Sequence, residues 1–147
     1  MSTDIPRSIP TILVVDDEPT VRRSVYRILA QWGFRVMEAE TAAEAMTVLS
    51  SARDRPQLVI LDVILPGTDG VTLARQIWEQ WPQQRVLYMS AFPAEVLYTH
   101  GLRDLTVGFV EKPFTGEELL RKVEAALVQP MSEARASDPE IPTASGP

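Results

Sequence analysis

The sequence predicts an α/β domain: a doubly wound five-stranded parallel sheet with five helices on its two faces. Three observations predict it. Five short runs rich in β-branched and other apolar residues recur along the chain, and segments with helical spacing separate them. Strands that alternate with helices need a crossover after each strand, which gives parallel pairing with both faces covered. Right-handed crossovers leave few topologies, and the order 2-1-3-4-5 is the natural one for five strand–helix units.

Each element has its own signal. Thr11–Val15 is the first strand. Val21, Val25, Ile28, Leu29 and Trp32 then follow i, i+4, i+7, i+8 spacing, and Gly33 stops this helix. Arg35–Ala39 is the second strand. Thr41-x-x-Glu44 is a capping box that starts a helix carrying Ala42, Ala45, Met46 and Leu49. Leu58–Leu61 is the third strand, apolar enough to be buried on both faces. Leu73, Ala74, Ile77 and Trp78 mark the third helix, and Pro82 follows its end. Val86–Met89 is the fourth strand. Pro93–Leu102 is read as the fourth helix, although it has few apolar residues and Gly101 interrupts it. Val107–Val110 is the fifth strand. A second capping box, Thr115-x-x-Glu118, starts the last helix with Leu119, Leu120, Val123 and Leu127.

Prolines bound the domain. Of 12 in the chain, six (6, 10, 130, 139, 142 and 147) lie outside residues 11–128. Residues 1–10 are read as an extension and 11–128 as the domain. Residues 129–147 are read as a disordered tail. Met131 and Ile141 are its only sizeable apolar residues, too little to offset the entropy of ordering.

Composition excludes several functions. With no cysteine there is no disulfide, thiolate metal site or cysteine nucleophile. A single histidine, His100, excludes a multi-histidine metal site and is given no role. A net charge of −6 leaves no global basic footprint for nucleic acid. No apolar run approaches the roughly 18–20 residues that span a bilayer, and the N-terminus has no signal-peptide core. A cytoplasmic location is expected.

Ligands of open α/β sheets bind at the carboxyl ends of the strands. Here those ends are Asp16-Asp17-Glu18, Asp62, Ser90 and Glu111-Lys112-Pro113. Three clustered carboxylates repel and couple their protonation. A hard divalent cation resolves this, and Mg²⁺ uses one or two carboxylates plus phosphate oxygens. An aspartate beside Mg²⁺ suits phosphoryl transfer with an acyl phosphate formed on it. A serine hydroxyl and a lysine would bind the phosphate oxygens. The chain holds 12 arginines but only two lysines, 112 and 122, and the compact ammonium suits a tight pocket. The sequence leaves open whether the Lys112-Pro113 bond is cis; a cis bond would turn the chain sharply and aim the amine into the site. Each residue alone has a simpler reading: Asp17 as a helix cap, Asp62 as a turn residue before Pro66-Gly67, Ser90 as a cap, Lys112 as a solvated lysine. Trp32, Trp78 and Trp81 read as packing. Four modest signals at four strand ends, in the order one chemistry requires, favour the site.

With those residues in view, the sequence resembles the receiver domain of bacterial two-component response regulators. The matching motifs are Ile12-Leu-Val-Val-Asp-Asp-Glu-Pro19, Leu61-Asp-Val-Ile-Leu-Pro-Gly-Thr-Asp-Gly70, Met89-Ser-Ala91 and Val110-Glu-Lys-Pro-Phe114. They fall within about residues 11–128. The resemblance implies a flavodoxin-like receiver fold, whose strand order is that given above. It implies Asp62 as phosphoacceptor, served by a histidine kinase or a histidine phosphotransfer protein. It implies Asp17 as direct Mg²⁺ ligand, Asp16 as a ligand mainly through water, and the Ile64 backbone carbonyl as a further one. Ser90 matches the switch hydroxyl in place of the commoner threonine. Lys112 matches the phosphate-binding lysine. Phe109 matches the aromatic switch in place of the commoner tyrosine, so its inward rotamer rests on packing alone. Ile64 and Phe92, both bulky, are placed to shield an acyl phosphate from water. The motifs are also similar to the terminal receivers of hybrid histidine kinases, but a stand-alone module is expected.

The expected function is a phosphorylation-controlled protein-binding module, not an enzyme beyond slow self-phosphorylation and self-dephosphorylation. Output would pass through the face made by the fourth and fifth strands and the helices after them, to a protein effector. No nucleic-acid or membrane partner is expected, only a monomer or transient homodimer. After residue 128 only 19 residues remain, too few and too polar for a DNA-binding output domain. One alternative is a haloacid-dehalogenase-like phosphatase with Asp16 as nucleophile. That family needs a second aspartate two positions on, where this chain has Glu18. Another is a pseudo-receiver scaffold, against which the intact Asp17, Asp62, Ser90 and Lys112 argue.

Overall fold

The computed structural model describes residues 9–93 and 108–128. The elements are β1 (Thr11–Val15), α1 (Pro19–Gln31), β2 (Arg35–Ala39), α2 (Ala42–Ser51), β3 (Leu58–Asp62), β4 (Ile64–Leu65), β5 (Thr68–Asp69), α3 (Gly70–Gln80), β6 (Val86–Ser90), β7 (Gly108–Glu111) and α4 (Gly116–Val128). The main sheet has the order β2-β1-β3-β6-β7, and every pair in it is parallel. Counted over its five strands, this is the predicted 2-1-3-4-5. Four helices flank it among the described residues. The helix expected at 93–102 lies, beyond Pro93, outside the described residues, as do the N-terminal extension up to residue 8 and the tail from 129.

Strand alternation builds two cores. Leu13, Val15, Val59, Leu61, Val86 and Tyr88 face α2 and α3, where Ala45, Leu49, Leu73 and Ile77 meet them. Ile12, Val14, Leu58, Ile60, Leu87 and Met89 face the other way, toward Val25 and Leu29 of α1 and Leu119 and Val123 of α4. β1, β3 and β6 are thus covered on both sides, as central parallel strands must be.

Local chemistry sets the helix ends. Pro19 opens α1, where its missing N–H costs nothing. Gly33 has φ +95° and ends that helix in a Schellman motif. Its N–H donates to Ala30 O, and Phe34 N–H donates to Leu29 O. Thr115 and Glu118 form a reciprocal capping box, each side chain accepting from the other's N–H. At α2 only half the box forms. Thr41 Oγ1 accepts from Glu44 N–H, but the Glu44 carboxylate accepts from Glu40 N–H, one residue before the cap.

The sequence reading missed one element. β4 and β5 form a two-stranded antiparallel hairpin immediately after β3. Pro66-Gly67 makes its turn, with Gly67 at φ +81°. The hairpin delivers Asp69 to cap α3, its carboxylate accepting from Thr72 N–H at 2.7 Å. Gly70 then packs against the backbone that follows β3, and its N–H donates to Val63 O at 2.6 Å. A Cβ on Gly70 would sit 2.8 Å from Val63 Cα and closer still to the Asp62 carbonyl oxygen. The two nearest atoms are backbone, with the Leu61 side chain behind them at 2.9 Å, so a side-chain swing alone cannot relieve the clash. Gly70→Ala is therefore expected to lower stability by about 1–3 kcal/mol, the usual cost of overpacking. Urea unfolding measures it, and an unchanged midpoint would show that the α3 entry yields freely.

Candidate functional site

The carboxyl ends of β1, β3, β6 and β7 lie side by side at one edge of the sheet. Asp16 follows β1 and is fully buried. Asp62 ends β3 and is 6% exposed. Asp17 is the solvent-accessible member of the trio. One carboxylate oxygen from each of the three lies within 4.8 Å of the others. Burial on this scale costs several kcal/mol per ion unless charge and hydrogen bonds compensate.

Lys112 provides that compensation. Its Nζ donates to Asp62 Oδ2 at 2.7 Å and to Asp16 Oδ2 at 2.9 Å. Lys112 N–H itself donates to Ser90 O at 2.7 Å, and the Lys112-Pro113 bond, left open by the sequence, is cis. The remaining carboxylate oxygens are held by backbone. Asp62 Oδ1 accepts from Ile64 N–H at 2.9 Å, and Asp16 Oδ1 accepts from Glu18 N–H at 2.8 Å. Burial pushes the Asp62 carboxyl above the ordinary aspartate value, and the Lys112 contact only partly offsets this. Burial pulls on Lys112 in the opposite sense, toward neutrality. Its bonds to Asp62 and Asp16 outweigh this and hold the ammonium above its usual value.

Ser90 ends β6, beside Asp62, whose register partner is Met89. It is fully buried, and its hydroxyl accepts from Phe92 N–H at 3.0 Å. Phe109 on β7 is half-buried and packs with Tyr88 on the α2–α3 face. Ile64 and Phe92 are 51% and 46% exposed, apolar bulk at the rim of the edge.

The simpler readings fare unevenly. Asp17 does not cap α1: the N-cap is Glu18, and it makes no side-chain cap bond. Lys112 is not a solvated lysine, with its side chain 16% exposed. Asp62 and Ser90 do make short local turns, each accepting from the N–H two residues on, and both stand at the site as well. The sequence reading gave Arg22 no role. It sits on α1 with its Nη1 on Asp16 O at 2.7 Å and its Nε on Glu38 Oε1 at 2.9 Å. Its only signal in the sequence was a basic residue one helical turn after an acidic pair.

The donor set fits Mg²⁺: three hard carboxylate donors together, no sulfur, no imidazole, and Asp17 open to water. Asp16, Asp17 and Asp62 are the residues that can hold such an ion.

Comparison with known proteins agrees. The family profile described as "Response regulator receiver domain" matches residues 12–124. Response regulator MprA of Mycolicibacterium vanbaalenii is 36% identical over 116 residues, 79% of this chain and 49% of that protein. Sensor kinase CckA of Brucella abortus is 30% identical over 126 residues, 86% of this chain and 13% of that protein. The chain thus spans about half or less of the length of these curated relatives. Among solved structures, response regulator protein TrrA of Thermotoga maritima, in complex with Mg²⁺-BeF, aligns with a TM-score of 0.70 and 30% identity. That alignment covers 80% of this chain and 99% of that one. The profile match spans the strand ends that carry Asp16, Asp62, Ser90 and Lys112, and the chain belongs to the response regulator receiver domain family of two-component signalling.

Proposed function

We propose that this receiver accepts a phosphoryl group on Asp62 in an Mg²⁺-dependent reaction and uses the change to control a protein-binding surface. The observation that carries the reading is the bridge from Lys112 to Asp62 and Asp16. It stations a cation where a phosphoryl group on Asp62 would place its negative oxygens.

The donor is a phosphohistidine on a kinase or phosphotransfer protein. An Asp62 carboxylate oxygen attacks phosphorus, the P–N bond breaks, and the imidazole leaves with the electron pair. Bound Mg²⁺ would supply charge neutralisation to the transferring group; Asp16, Asp17, Asp62 and the Ile64 carbonyl are its proposed ligands. Lys112 binds the phosphoryl oxygens on the other side. Ser90 donates its hydroxyl to them, giving up its bond from Phe92 N–H. Phe109 moves into the space vacated, and the surface around β6 and β7 changes for a partner to read. Ile64 and Phe92 cover the acyl phosphate against water, and the module works by contact rather than turnover. The phosphatase alternative gains nothing from the geometry. The Asp16 side chain has no solvent exposure, whereas that of Asp62 keeps 9%, and the second aspartate that family needs is Glu18.

Three outcomes are expected. Incubation with Mg²⁺ and a small phosphodonor labels Asp62, and Asp62→Asn abolishes the label. Label on Asp16 would sink this reading in favour of the phosphatase. In metal-free protein, the Asp62 carboxyl titrates above the ordinary aspartate value, because burial disfavours its charged form. Lys112→Ala moves that midpoint further up, since the ammonium's contribution is to lower it; carboxyl carbon NMR follows both. Finally, the acyl phosphate turns over slowly, and Ile64→Asn shortens its half-life severalfold. A wild-type lifetime of seconds, unchanged in that variant, would remove the shielding role.

A further inference from the structure

We propose that Arg22 is a positioning residue for the metal site. The inference rests on the reading that Asp16 and Asp17 hold Mg²⁺.

The geometry assigns Arg22 two fixed bonds. Nε meets Glu38 Oε1 at 2.9 Å, and Nη1 meets the Asp16 backbone carbonyl at 2.7 Å. The side chain is only 16% exposed and Glu38 31%, so neither bond is a loose surface contact. A planar guanidinium held at one nitrogen has its other nitrogens aimed. Glu38 on β2 thus sets the direction in which Arg22 presents Nη1. The bond it makes there is charge-assisted, among the stronger kinds.

That bond completes the restraint of Asp16. Its N–H donates to Ala39 O, Oδ1 takes Glu18 N–H, Oδ2 takes Lys112, and the carbonyl takes Arg22. The carbonyl belongs to the peptide that joins Asp16 to Asp17. Fixing that peptide plane fixes where the Asp17 backbone starts, and so where its carboxylate stands.

Arg22 also replaces a missing restraint. α1 has no side-chain cap, so its entry is free of the usual anchor. Arg22 lies within the first turn of α1 and ties that turn back to the end of β1. It brings a second positive charge to a cluster whose only other direct cationic contact among the described residues is Lys112. The bond to Glu38 neutralises part of that charge, so aiming is the larger effect.

The test compares wild type, Arg22→Lys, Arg22→Ala and Glu38→Gln, with Mg²⁺ alone as the probe. Isothermal titration gives the Mg²⁺ Kd, and thermal melts without metal give stability. Arg22→Ala is expected to raise the Kd about tenfold, in the range seen when groups that orient metal ligands are removed. Arg22→Lys keeps the charge but loses the fork, and recovers only part of the loss. Glu38→Gln weakens binding less than Arg22→Ala, because the guanidinium remains but is less well aimed. Phosphorylation of Arg22→Ala recovers at saturating Mg²⁺. A lowered melting temperature with an unchanged Mg²⁺ Kd would overturn the inference and leave Arg22 a structural tie. Full recovery by Arg22→Lys would overturn the aiming argument. Absence of Mg²⁺ binding in wild type would defeat the metal reading itself, a result distinct from either.

Discussion

One ammonium group holds the functional edge of this protein together. Parallel strands covered on both faces end in buried carboxylates, and those carboxylates repel. Lys112 answers two of them at once. Removing one partner from a buried ionic contact costs about 3–5 kcal/mol, a large share of the roughly 5–15 kcal/mol that holds a domain folded. The site and the fold therefore share one interaction. A group that draws Lys112 away from Asp16 or Asp62 must supply comparable electrostatics, which phosphoryl oxygens and a divalent cation together can do.

Much of this was legible in the sequence because it follows from short-range rules. Short β-branched and apolar runs marked the strands, helical spacing and capping boxes marked the helices, and their alternation implied a parallel sheet. The strand-end rule then brought Asp16, Asp17, Asp62, Ser90 and Lys112 to one edge. What stayed hidden depends on contacts between elements. The β4–β5 hairpin has strands of two residues each, too short for any periodicity. The need for glycine at 70 arises from a backbone that is distant until α3 docks. The role of Glu44 depended on a choice between two N–H groups one residue apart. Arg22 looked like one arginine among several on α1. Its bond to Glu38 exists only once β2 lies beside β1.

The site also shows how burial and access are divided among like residues. Asp16 and Asp17 are adjacent just past the end of β1, yet one is buried and the other exposed. Asp16 is fully buried, and its N–H, its carbonyl and both carboxylate oxygens are bonded. Asp17 is the member open to water. Asp62 also has one partner on each carboxylate oxygen, but its side chain keeps 9% exposure, and burial holds its carboxyl above the ordinary aspartate value. Three identical side chains thus acquire three chemical characters from their environments.

The alternation along β1 has a consequence for how the chain can change over time. Its even positions, Ile12 and Val14, belong to one core and its odd positions, Leu13 and Val15, to the other. Substitutions within the strand can be absorbed one at a time by repacking. A single-residue insertion or deletion cannot, because it would exchange the two cores. The strand therefore keeps parity as well as composition, and a change of length is better absorbed beyond its ends.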